Sequence, residues 1–518
     1  MNSTRPEHPT QARWLSQSPG RVQIFEASTL YGIATLNAAI KQGLFDDGAS
    51  GRRILLTSNN AAIAESVPDL RERGGFDELA EIFDEVHSYN DAIAPMHPSG
   101  WEPTEMEAPL WERYFRLLWQ LGSEPVQLVM ESIQVPPSRA LAAAFPQASI
   151  DIYADGLMSY GPTRVKLDAE LGSRIDRVLH LDLVPGLQPL LLDEFPVSYH
   201  LIDSDLFIGV LAELDKVTLR SGTALPRLGT SRAATDDTDA DTGQKPTPTG
   251  DGSVALVLGQ YLSPLNLMSI EDEEALHTAM LDAAVAAGHS QVVFKPHPTA
   301  PAALADPMIE RARELGVTLE VFTEPVLAET VFANLSISLV VGCFSTALMT
   351  ARSLYGLDVV RVGTAEVLAA LKPYENSNRI PLVIIDSYVD AMEKPALDAK
   401  EAKQRKESGA PEPTPERVAA PLQTVEELQQ LVDTVGYLMQ PEILAHRRFD
   451  AEEQLEAHGG EGPYFNAVRQ GALNLPGGKR TVKGLAGPVL RRTARKVYSM
   501  ERNLEKKLGG SIRGVPGS

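Results

Sequence analysis

The strongest constraint on this chain is a repeated pairing of a short, mostly apolar run with a tight exit and a segment of helical periodicity. Residues 21–27, 53–57, 127–131, 148–153, 254–259, 291–294, 337–341 and 358–362 are such runs. Strands rich in apolar residues, alternating with helical segments, describe a parallel sheet covered on both faces. The expected class is therefore α/β. At 518 residues the chain is too long for one core. Composition divides it: a flexible stretch at 1–20, a first doubly wound unit at 21–220, and a disordered linker at 221–253 rich in Asp, Thr, Gly and Pro. A second doubly wound unit spans 254–390, a charged low-complexity excursion 391–423, a helical segment 424–477 and a basic tail 478–518.

The exits of these runs carry the chemistry. Residues 337–341 leave through Gly342, Cys343 and Phe344 into a helix opened by Ser345 and Thr346. Free backbone N–H groups, the positive end of the helix dipole and two hydroxyls suit a phosphate there. Ser and Thr are also the ordinary N-caps of helices that bind nothing, so simple capping stands as the second reading. Residues 291–294 leave through Lys295, Pro296, His297 and Pro298, and the two prolines hold His297 in an extended loop. In one parallel sheet both exits open on the edge where α/β sheets bind ligands, which places Lys295 and His297 facing the Ser345–Thr346 helix.

Residues 148–153 leave through Ala154, Asp155 and Gly156. Asp-Gly is a common turn, and a carboxylate on a tight loop facing a cleft is also a general base; both readings stand. Ser159, Tyr160, Thr163 and Arg164 follow, suited equally to a ligand loop and a solvated one. The helical segment at 424–458 reads as a packed helix or as a brace across the two units. Cys343 is the single cysteine, so an intrachain disulfide is excluded, and its apolar setting favours a packed small residue.

The formal charge of −22 argues against nucleic acid as the general partner. The tail inverts that balance, with eleven Lys and Arg against two Glu over 478–518, a local +9. Its apolar residues near helical spacing suit an anionic membrane surface, a helix docked on the acidic body, or a solubilising end. No apolar run is long enough to span a bilayer and the first residues lack a signal-peptide core, so a cytoplasmic protein is expected.

Taken in order, Ala154-Asp155-Gly156, His297-Pro298 and Ser345-Thr346 resemble the motifs of the bacterial polysialyltransferase-like glycosyltransferases: an acidic-acidic-Gly triplet, HP, and a Ser-Ser or Ser-Thr pair. The resemblance covers about residues 21–364, and Ala154 departs from it, standing where the family has a first acid. It implies a GT-B fold, a CMP-activated sialic-acid-like sugar as donor, a glycan acceptor, inversion without a required metal or other cofactor, and work at the cytoplasmic membrane face. It also implies roles: Asp155 as base, His297 as donor or acid to the leaving phosphate, and Ser345 and Thr346 as its cradle. Lys295 is a further candidate for the phosphate, and Gly259, Gln260 and Glu329 for the donor nucleotide. Ser28 and Thr29 at the first strand exit, with Arg164, are candidates for the acceptor side. Another nucleotide-sugar donor and a non-catalytic glycan-binding module are the alternatives.

Overall fold

The computed structural model describes residues 21–46, 51–61, 63–220, 222–228, 253–265, 267–297, 300–395, 408, 413–457 and 459–479. Within them lie two seven-stranded sheets. The first contains β1 (Val22–Ala27), β2 (Arg52–Thr57), β3 (Glu85–Ser88), β4 (Val126–Met130), β5 (Ser149–Ala154), β6 (Ile175–Leu181) and β7 (Ser198–Ile202), in the order 3-2-1-4-5-6-7. All of its pairings are parallel. The second contains β8 (Val254–Leu258), β9 (Gln291–Lys295), β10 (Thr318–Val321), β11 (Ile337–Gly342), β12 (Asp358–Arg361), β13 (Ala391–Glu393) and β14 (Glu416–Val418), in the order 10-9-8-11-12-13-14. The two doubly wound sheets are those expected from the alternation of apolar runs and helices.

Strand periodicity decides which residues meet. Along β1, Val22 and Ile24 join the core on the outer face of the first sheet, whereas Phe25 and Ala27 join a second core on the inner face. That inner core continues without a break through Leu256, Val340 and Leu428 to Leu475, so the two sheets and the C-terminal helices share apolar packing. The strand order reverses between β1 and β4 and again between β8 and β11. These are the switch points at which doubly wound sheets leave a crevice beyond their carboxyl ends.

Two expectations are corrected. The second sheet does not stop at residue 390. Ala391–Glu393 pairs with β12 through Arg361, and Glu416–Val418 adds antiparallel to it, both inside the stretch expected as an excursion. Strands of three residues are too short to show a period, and Arg417 is anchored by Asp358 and Asp390. The second correction concerns the helical segment, which is broken: Val425–Met439 ends at Gln440 before Pro441, and Arg448–Ala457 and Ala467–Leu473 follow. Proline removes the donor a continuing helix needs. These helices brace the two units. Gln429 bonds Gln188, Gln440 bonds the Arg164 carbonyl, and Arg447 pairs with both Asp193 and Asp433, while Leu422 bonds the Ser387 carbonyl of the second unit. Residues 1–20, most of 221–253 and the tail from Arg480 lie outside the described residues, as does Pro298. Among the described residues no helix is long and apolar enough to cross a membrane.

Candidate active site

Three strand exits of the first sheet form one side of the crevice. Because Met130 is in register with Ile152 and Val22–Phe25 with Val126–Val129, the ends of β1, β4 and β5 lie side by side. This brings Ser28, Glu131 and Asp155 to one edge. The Ser28 hydroxyl donates to Glu131 Oε2 at 2.7 Å. Thr29 is the N-cap of the helix Leu30–Lys41, its hydroxyl accepting from the Gly32 N–H at 2.9 Å, so its side chain serves the helix. Beneath them Glu26 is 1% exposed, accepting from Ser58 at 3.0 Å and Ser138 at 3.1 Å. Tyr153 donates its hydroxyl to the Glu26 carbonyl.

Two of these carboxyls are perturbed. Burial, and after it the negative charge of Glu131, pushes Asp155 up to about 7 and Glu26 up to about 7. A carboxylate of that basicity is matched to accepting a proton near neutral pH. The Arg164 side chain is exposed, and its backbone N–H is held by Gln134. The polar residues between fill structural bonds and are buried. Ser159 caps onto the Gly156 carbonyl, Thr163 bonds Glu194, and the Tyr160 hydroxyl accepts from the Val184 N–H. They are neither solvated nor free for a ligand, because the loop folds under the Arg379–Tyr388 helix.

The second sheet supplies the facing side. Ser345 is the N-cap of the Thr346–Ser353 helix, its Oγ accepting from the Ala347 N–H at 3.3 Å. A β-carbon placed on Gly156 would stand 3.5 Å from Thr346 Oγ1. The turn that carries Asp155 therefore touches the residue that opens the helix after β11, and residues from opposite sheets meet at this point. Cys343, just before, is fully buried with its thiol pushed up to about 12, and is a packed residue as expected.

The exit of β9 departs from expectation. Lys295 does not turn toward the Ser345–Thr346 helix: its Nζ donates to the Glu324 carbonyl at 3.2 Å and lies 5.4 Å from the centre of the Phe322 ring, on the β10 side. A buried ammonium goes where an acceptor and a ring can hold it, and those lie beyond the next strand. Burial lowers it to about 8, against the opposing charges of Glu329 and Glu324. Glu329, on the helix Ala328–Asn334, is 5% exposed and pushed up to about 7 by burial. His297 sits beyond Pro296 with its ring tilted against Tyr261 at 6.2 Å, and burial lowers its pKa, opposed by Glu273.

The β8 exit, Gly259 and Gln260, is held by two residues that the sequence analysis does not single out, Glu273 and His277. The Gly259 N–H donates to the Lys295 carbonyl at 2.8 Å, and a β-carbon on Gly259 would stand 2.9 Å from Pro296 Cα. Gln260, 7% exposed, donates its backbone N–H to His277 Nε2 at 2.9 Å, while Glu273 accepts from Leu262 and Ser263. Burial holds His277 down to about 4, so the ring is a neutral acceptor. Glu273 and His277 are four residues apart on the otherwise inward face of the helix Ile270–Ala286, and that spacing was the available signal. Glu26 and Glu131 were also missed. Glu131 had the same signal as Asp155, a carboxylate at a strand exit.

The Asp155–Gly156 turn of one doubly wound sheet thus lies against a helix N-terminus of the other. The family model of the alpha-2,8-polysialyltransferases (POLYST) matches residues 23–364, and the chain belongs to that family. Solved structures similar to it include a sialyltransferase from Photobacterium damsela, at 11% identity and a TM-score of 0.35, covering 71% of this chain and 78% of that one. MurG from Acinetobacter baumannii matches at 10% identity and a TM-score of 0.34, covering 84% and 95%. Comparison with curated proteins found no match.

Proposed function

We propose that this glycosyltransferase is an inverting enzyme that moves a sialic-acid-like sugar from a CMP-activated donor to a glycan, without a metal ion. The observation that carries the reading is the meeting of the Asp155–Gly156 turn with Thr346, which sets a basic carboxylate beside a phosphate-type helix terminus. In the reaction the acceptor oxygen bonds to the anomeric carbon as the bond from that carbon to the phosphate oxygen breaks. The acceptor proton goes to Asp155 and the bonding pair leaves with the phosphate. Charge developing on the phosphate is met by the backbone N–H groups at Ser345 and Thr346, by their hydroxyls and by the helix dipole. His297, neutral near pH 7 because burial disfavours its cation, acts as a hydrogen-bond donor to the leaving group. Lys295, held toward β10, contributes a longer-range positive charge. Gly259 and Gln260 frame the donor side by backbone placement, and Glu329 is a buried carboxyl behind it.

Calorimetric titration with CMP against UMP and GMP, with and without a chelator, tests this reading. Selective CMP binding that survives chelation is expected, followed by transfer from CMP-sialic acid to an oligosialic acid acceptor. Preference for another nucleotide, or binding that chelation removes, overturns the donor assignment.

A further inference from the structure

The acidic triplet of the family is incomplete here, with Ala154 at its first position, yet a second carboxylate stands at the same edge by another route. The ends of β4 and β5 are neighbours, Met130 being in register with Ile152, so the next residue of the β4 exit, Glu131, comes beside the β5 exit and Asp155. Glu131 is not idle there. Its Oε2 is fixed by the Ser28 hydroxyl at 2.7 Å, and its backbone N–H makes a longer bond of 3.4 Å to Glu26, itself anchored by Ser58 and Ser138. It is thus tied to β1 on one side while its charge acts on Asp155 on the other.

We propose that Glu131 is the positioning acid of the acceptor side, supplying from β4 the negative charge that Ala154 cannot supply from β5 and holding the Ser28 exit in place around the acceptor hydroxyl. The inference rests on the reading of Asp155 as base. Chemically, a fixed anion beside Asp155 makes it more basic and stabilises the proton it takes. The other groups around this pair are Glu26 from β1, Tyr31 from the helix Leu30–Lys41 and Tyr153 from β5, with Glu329 facing Tyr31 from the second unit. The Thr346–Ser353 helix brings no ionisable group to it at its first residue. Of the carboxylates, Glu131 is the one whose charge acts on both Asp155 and Glu26.

The test is the pH profile of transfer from CMP-sialic acid to an oligosialic acid acceptor by the full chain and its Glu131→Gln variant. Removing the charge is expected to move the acid limb of kcat/KM down by about one pH unit or more and to lower plateau kcat about tenfold, with donor KM unchanged. A superimposable profile overturns the proposal, because a merely structural role would not leave the limb tied to this charge. Should Glu131→Gln fail to fold, Glu131→Asp decides. The shorter arm keeps the charge and loses the Ser28 bond, so the limb stays and kcat falls; unchanged kcat overturns the positioning role. Asp155→Asn separates the two readings. If it abolishes transfer while Glu131→Gln leaves the limb in place, only the role of Glu131 falls. If Asp155→Asn retains transfer, or the unmodified chain transfers nothing, both fall.

Discussion

Gly259→Ala isolates the packing that places His297. The added β-carbon would stand 2.9 Å from Pro296 Cα and 3.0 Å from two atoms of the Phe294 ring. Carbon atoms in contact settle at about 3.5–4.0 Å, so the β8 and β9 exits must part by roughly 0.6–1 Å. Neither neighbour is the free end of a flexible side chain: Pro296 Cα is backbone, and Phe294 is fully buried. The bond from the Gly259 N–H to the Lys295 carbonyl, 2.8 Å, joins these same two exits and must lengthen with them. Overpacking of this kind costs about 1–3 kcal/mol, which should lower the melting temperature by a few degrees. His297 follows Pro296 directly, so it moves with the exit, and a displacement near 1 Å lowers turnover by up to about a hundredfold. Thermal unfolding, CMP affinity and kcat from CMP-sialic acid are read on the same preparation. Lower melting temperature with kcat reduced tenfold or more is expected. A lowered melting temperature with unchanged kcat would refute the placement of His297 at the reacting phosphate, and no change in either would refute the packing argument.

Three further outcomes are expected. Thr346→Val, which keeps shape and backbone N–H but loses the hydroxyl, should raise donor KM about five- to tenfold, the loss of roughly one hydrogen bond, with little change in melting temperature; Ser345→Ala should instead cost about 0.5–2 kcal/mol of stability through the lost cap, and a reversed pattern between the two refutes the division. Glu26 is raised above its unfolded value, so its contribution to stability is full below the unfolded pKa and lost as pH rises through about 7; Glu26→Gln should match the unmodified chain in melting temperature near about pH 4 and exceed it near about pH 8, and no such divergence refutes the buried, raised carboxyl. Removal of 478–518, with its local +9, should abolish sedimentation with vesicles of anionic lipid at low salt, and full retention of binding in the truncated chain refutes the tail as the membrane contact.

The fold was legible because β4, β8 and β11 are apolar almost throughout, the pattern of a sheet covered on both faces. Ser345 and Thr346 were legible as a helix start for the same local reason, a hydroxyl at the N-cap position. What escaped was set by tertiary partners. The direction of Lys295 is not legible locally, because nothing in its own stretch shows that the Glu324 carbonyl and the Phe322 ring lie beyond β10. Glu273 and His277 looked like ordinary helix residues, since their role is to hold backbone N–H groups of a loop ten to seventeen residues earlier. Strands β13 and β14 were lost in a charged stretch because three residues cannot display a period of two.

The charge distribution of the site follows from which ends of the secondary structures meet. On the first sheet, three strands deliver carboxylates to one edge, and burying them together is unfavourable unless each is raised or tied down. Glu26 takes two serines and burial, Glu131 takes Ser28, and Asp155 is left with the least compensation by hydrogen bonds. Asp155 and Glu26 are both raised to about 7, but Glu26 is buried whereas Asp155 is half-buried at a strand exit, within reach of something entering the crevice. Opposite it, the helix that begins at Thr346 offers positive potential without an ionisable group, and in the proposed reaction it would hold a phosphate without neutralising the base by an ion pair. An arginine or lysine at residue 346 would bind phosphate more strongly, yet it would sit against the Gly156 turn and pull Asp155 back to an ordinary carboxylate. In the proposed reaction, a helix terminus in place of a side-chain cation would therefore let the same few ångströms hold an anion to be released and a carboxylate that must stay basic.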